Sequence, residues 1–176
     1  MMKKQSLPFI ERSKLWIFVS IIFIFLLIAS YYFISLYQDV INSKTEHFDE
    51  VRTLALDNTS LDVIHSIERF HGDQLYYVVD GETNDNQATL VYMYQPEEEW
   101  EYDIYNKESL YAEDILLSEW RDRCTSCELL GSTIGLDSGY PVLEIKYLDT
   151  SDRLVYEHVL LEDKTHYRLT LKPSFQ

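Results

Sequence analysis

Cysteine 124 opens the most chemically pointed motif in the chain, Cys124-Thr125-Ser126-Cys127. A C-x-x-C pair can be a redox couple, half of a zinc site, or a local disulfide. Zinc needs further thiols or imidazoles near in sequence, and there is neither a second cysteine pair nor a neighbouring histidine. A redox cysteine is favoured at a helix N-terminus, where the dipole lowers the thiol pKa. Here the pair follows a predicted helix, and the dipole at that end opposes a thiolate. A disulfide pinning the helix-to-strand turn is the leading reading, with the other two as alternatives. The five histidines, His47, His65, His71, His158 and His166, form no metal-ligand spacing such as H-E-x-x-H and read as strand or loop surface residues. No metal ligand is assigned.

Residues 97–103 form a dense acidic run with Trp100 and Tyr102 set into it. Paired carboxylates can do glycosidase chemistry, but only at a three-dimensional separation that sequence does not supply. A solvated turn and edge strand is the simpler reading, and docking of a basic partner the more interesting one. Ser126, Ser132 and Ser138 lie outside any G-x-S-x-G context, and the chain carries no P-loop or dinucleotide fingerprint. The expectation is a protein that is not an enzyme and takes no cofactor. Trp100, Tyr102, Tyr105 and Tyr140 are the candidate partner-binding residues, because exposed aromatic rings anchor interfaces.

The formal net charge is −15, and it is unevenly spread. Lys3, Lys4, Arg12 and Lys14 precede the apolar segment against Glu11 alone, so the excess of acid lies in the remainder. Such a surface repels nucleic acid phosphates and anionic headgroups, which argues against a nucleic acid partner. It suits a basic protein surface or divalent cations, or serves only to keep the chain soluble.

Residues 15–37 carry no charge over 23 positions, long enough to cross a bilayer. Trp16 at one end and Tyr31, Tyr32 and Tyr37 at the other suit the two headgroup layers. The flanking lysines place the N-terminus in the cytoplasm and the rest outside the cell. A cleaved signal peptide is the rival, but its apolar core would be shorter and Ile28-Ala29-Ser30 is a weak cleavage site.

Beyond the membrane the helix is expected to continue over 38–57, with Ile41, Phe48, Val51 and Ala55 on one face. Strands follow at 61–70, 75–79, 89–94 and 100–105, with residues 80–86 as a polar hairpin loop. Ser109 is the predicted N-cap of a second helix running to about Arg123, burying Leu110, Ile115, Leu116 and Trp120. Strands follow again at 128–136, 142–148, 154–161 and 166–171. The order of elements thus repeats after about 65 residues. The fold class is α+β: an N-terminal transmembrane helix, then two tandem small domains, each a helix on a three- to four-stranded antiparallel sheet. The domain plan is a cytoplasmic basic tail at 1–14, the membrane helix at 15–37, and extracellular α+β domains at 38–106 and 107–176. One seven- or eight-stranded sheet is the alternative.

Two stretches carry a family resemblance. Residues 70–81, FHGDQLYYVVDG, and 135–147, GLDSGYPVLEIKY, resemble the two domains of the TseB-like (YpmB-like) proteins of Gram-positive bacteria. The resemblance implies two small PepSY- or cystatin-like domains behind a membrane anchor. It implies a regulator of cell-wall elongation that acts through a penicillin-binding protein, with no catalytic residues to carry over. The chain departs from the family pattern in its acidic run at 97–103 and in the Cys124–Cys127 pair. A peptide-binding or protease-inhibitor module at the cell surface is the second expectation, and an enzyme acting on wall polymer the third.

Overall fold

The structure, a computed structural model, describes residues 12–45, 47–97 and 99–171. The first eleven residues of the expected basic tail and Glu98 of the acidic run lie outside the described residues. The chain divides into two compact units, 1–46 and 47–176.

The first unit is the helix α1 (Arg12–Thr45). Its segment Trp16–Gln38 spans 23 residues with a mean hydropathy of 2.6, and none of it is buried. At 1.5 Å per residue that segment is about 35 Å long, enough for a hydrocarbon core of about 30 Å. This is one helix long and apolar enough to cross a membrane, by length and composition.

The expected continuous helix over 38–57 is broken. α1 stops at Thr45, and α2 (Phe48–Asn58) starts afresh. His47 between them has φ 68°, a left-handed conformation that no α-helix propagates. Of the predicted apolar face, Val51 and Ala55 are fully buried, and Phe48 packs partly against the same core.

Strands β1 (Leu61–His71), β2 (Leu75–Thr83), β3 (Ala88–Tyr94) and β4 (Glu101–Asn106) form an antiparallel sheet in that order. β2 extends four residues past Val79, from Asp80 to Thr83, so the expected loop at 80–86 shrinks to a tight turn closed by Asn86 N–H donating to Thr83 O at 2.9 Å. Asn86 takes the positive φ this turn requires, a conformation Asn tolerates better than most residues. β2 and β3 are buried on both faces, which explains their unbroken apolar runs. Tyr77, Val79, Val91 and Met93 pack under α2. Tyr76, Val78, Leu90 and Tyr92 point the other way, into the core shared with the second sheet.

After β4 a 3-10 turn (Lys107–Ser109) intervenes, and α3 begins only at Glu113 and ends at Arg123. Ser109 is therefore not the helix cap. Its hydroxyl donates to Asn106 O at 2.7 Å, and Tyr111 N–H donates to Leu161 O at 2.8 Å, holding the chain extended until Ala112. Leu116 and Trp120 are buried as expected; Ile115 is exposed, and Leu110 packs on the core from outside the helix. Strands β5 (Glu128–Asp137), β6 (Tyr140–Leu148), β7 (Leu154–Leu160) and β8 (His166–Thr170) form the second antiparallel sheet. α2 begins at Phe48 and α3 at Glu113, the period of about 65 that the pattern predicts. Two antiparallel four-stranded sheets, each preceded by a helix, are the fold class expected, and the single-sheet alternative is excluded.

The sheets meet where β1 and β2 pack on β5. Gly135 makes this approach possible. A Cβ there would lie 2.3 Å from the Phe70 ring, so a side chain and the buried Phe70 cannot share the space.

Candidate functional site

The aromatic residues singled out from sequence fall on two different faces. Trp100 and Tyr102 lie beside α2. The Trp100 indole donates to Glu50 Oε1 at 3.0 Å and packs on Tyr77 with ring centroids 5.6 Å apart. Tyr102 donates to Asn58 O at 2.9 Å. Glu50 is also bonded to His47 at 2.8 Å, and that bond, helped by the indole, holds its carboxyl below the usual range. Tyr105 turns to the opposite face and donates to Gly139 O at 2.9 Å, which ties the edge strand β4 to the β5–β6 hairpin. Tyr140, the next residue in that hairpin, is 53% exposed. So the structure brings Tyr105 close to Tyr140 in one place and Trp100 to Tyr102 in another. Tyr140 has the most open ring of the four.

Cys124 and Cys127 are disulfide-bonded across the turn from α3 to β5, with Cα atoms 5.4 Å apart. Both pack against the core beside Trp120, whose carbonyl caps Cys124 N–H at 2.9 Å.

Two features were not legible in the sequence. The first is a charged centre on the second sheet. The His158 ring on β7 places Nε2 2.9 Å from Glu144 Oε2 of β6, and Nδ1 3.1 Å from Asp137 Oδ2 of β5 and 2.8 Å from the Tyr167 hydroxyl of β8. The Glu144 hydrogen bond, reinforced by Asp137, raises the imidazole pKa against the opposing effect of burial. The two carboxylates sit at opposite ring nitrogens, so they do not converge on a metal; among the described residues no group of three His, Cys, Asp or Glu does. Phe70 of the first sheet lies 6.2 Å from the ring.

The second is a groove between the sheets. Its wider part holds about 410 Å³ over a floor of Leu90, Leu110, Ile134 and Leu161. A narrower part of about 180 Å³ continues past Glu68 and Ser132, and Asp80, Leu90, Glu113 and Ile134 line both. Asp80 is bonded to Lys107 at 2.8 and 3.0 Å, and Glu113 accepts from Ser132 at 2.6 Å. The residues come from β1, β2, β3, α3 and β5, from the link between the halves and from the turn after β7, so no local spacing announces them. A volume in this range takes one large side chain with its flanking backbone.

A two-sheet α+β module with an open groove and a separate apolar helix is the class these features define. Residues 52–93, from α2 through β3, match the family model of the cell wall elongation regulator TseB-like domain. The stretch at 70–81 lies inside this match, and the stretch at 135–147 lies outside it. A solved structure, the YpmB protein from Bacillus subtilis, shares the fold with a TM-score of 0.65 at 18% identity, over 72% of this chain and 98% of that one. No curated protein matches the sequence.

Proposed function

We propose that the chain is a membrane-anchored regulator of cell-wall elongation that works by docking on a penicillin-binding protein, without chemistry of its own. The observation that carries this reading is the match of residues 52–93 to a wall-elongation regulator domain, on the same chain as a helix long and apolar enough for a bilayer. The basic residues before that helix favour a cytoplasmic N-terminus, which leaves the two sheets at the outer face, each half of PepSY-like type. Confinement to one membrane surface raises the effective concentration of two anchored proteins, so a weak interface is enough.

The polar centre fits a structural role better than a catalytic one. Both nitrogens of His158 are occupied by the carboxylates of Glu144 and Asp137, which leaves the ring no free nitrogen to act as a base. The test is crosslinking in intact cells from a photoreactive residue at Tyr140, and separately at Trp100, with identification of what is captured. Capture of a penicillin-binding protein is the expected result. Failure at both positions, in cells where the protein is made and membrane-bound, would overturn the reading.

A further inference from the structure

The inter-sheet groove combines an apolar floor with an acidic rim. Its floor is aliphatic, and its rim carries Glu68, Asp80, Glu108 and Glu113 against Lys107 alone among the described lining residues. Lys107 already pairs with Asp80, and Glu68, Glu108 and Glu113 have no ion pair among the described residues. The carboxylates are spread along the slot rather than gathered at a point, and no three of them could hold a metal ion. That distribution matches an elongated polycation better than an inorganic cation. The net charge of −15 adds to the field, and a cleft with apolar walls concentrates it.

We infer that this groove is the docking slot for an extended peptide segment of the partner, one that carries an apolar side chain between two lysines or arginines. In an extended chain every second side chain faces the same way, so a cationic residue, an apolar one and a second cationic one at alternate positions span about 13 Å on one face. The apolar side chain fills the space above Leu90 and Ile134, and the flanking cations reach Glu113 and Glu68. Lys107 on Asp80 shows that a lysine ammonium is accommodated at this rim. The same arrangement repels acidic peptides and phosphate-bearing polymers. The inference rests on the docking reading above and names its surface and chemistry.

The test uses the full chain in neutral detergent micelles, with fluorescence anisotropy of a fluorescein-labelled Lys-Ser-Leu-Ser-Lys peptide and protein-free micelles as background. Saturable binding is expected, at least about tenfold weaker for Lys-Ser-Ser-Ser-Lys and absent for Glu-Ser-Leu-Ser-Glu. Glu68→Gln with Glu113→Gln is expected to weaken binding about tenfold and to flatten its salt dependence. Ala88 lines the wider part of the groove, and Ala88→Trp, which fills that space and leaves every charge in place, gives a second route to the same loss. Glu97→Gln with Glu99→Gln, on the outer acidic run, leaves binding within about twofold. Equal weakening by the two glutamine pairs, equal binding of the leucine and serine peptides, or no binding at all would overturn the inference. The in-cell crosslinking at Tyr140 and Trp100 is scored separately. Capture that persists in the groove variants keeps the docking partner and removes the groove from its interface.

Discussion

His158 sits between Glu144 and Asp137 with its side chain only 16% exposed. Its pKa lies above the ordinary 6.5, chiefly through the Glu144 hydrogen bond. A raised pKa in the folded state means that the protonated ring stabilises the fold. That contribution is complete below about pH 6.5, where folded and unfolded chains both bind the proton, and it is lost as pH rises through the folded value. Melting temperature is therefore expected to fall as pH climbs above 6.5, and His158→Gln to flatten that slope. Parallel curves for the two proteins would contradict it. The Cys124–Cys127 pair closes a very short loop, so the unfolded chain gains little freedom when it is cut. Replacing both by serine is expected to cost about 1–2 kcal/mol, read by denaturant unfolding, with the far-ultraviolet spectrum unchanged.

At the scale of elements, the seam between β1 and β5 carries a sharp prediction. Gly135→Ala puts a methyl group into the Phe70 ring and is expected to destabilise by about 1–3 kcal/mol. The same change in a Phe70→Leu background should cost clearly less, because the clash partner is smaller; an additive double mutant would place the strain elsewhere. Strands were the most legible elements. LYYVV and LVYMY are apolar without interruption because β2 and β3 are covered on both sides, by α2 and by the second sheet. The helix starts were less legible. A left-handed His47 breaks the amphipathic register at 38–57, and a backbone bond from Tyr111 to Leu161 delays α3 past Ser109. Neither leaves a mark in side-chain periodicity. The groove and the His158 centre were invisible for a related reason: their residues converge from strands far apart in sequence.

Across the whole molecule, the acidic excess and the apolar helix belong to different units, and that separation is what the anchoring reading needs. A single cysteine placed at Ser6 is expected to resist a membrane-impermeant maleimide in intact cells, while one at Thr150 reacts; both native cysteines are tied up in the disulfide. The reverse pattern would invert the orientation.

The strand β8 closes its sheet on one side, and Tyr167 and Leu169 on it are 48% and 62% exposed. An outermost strand with greasy side chains is a template for a second molecule to zip onto. Mutual repulsion between two chains of −15 opposes that encounter, and dissolved ions screen the repulsion beyond about 10 Å at 0.1 M. Purified protein is thus expected to stay dispersed at low ionic strength and to clump as sodium chloride is added, with Leu169→Lys holding it in solution under light scattering.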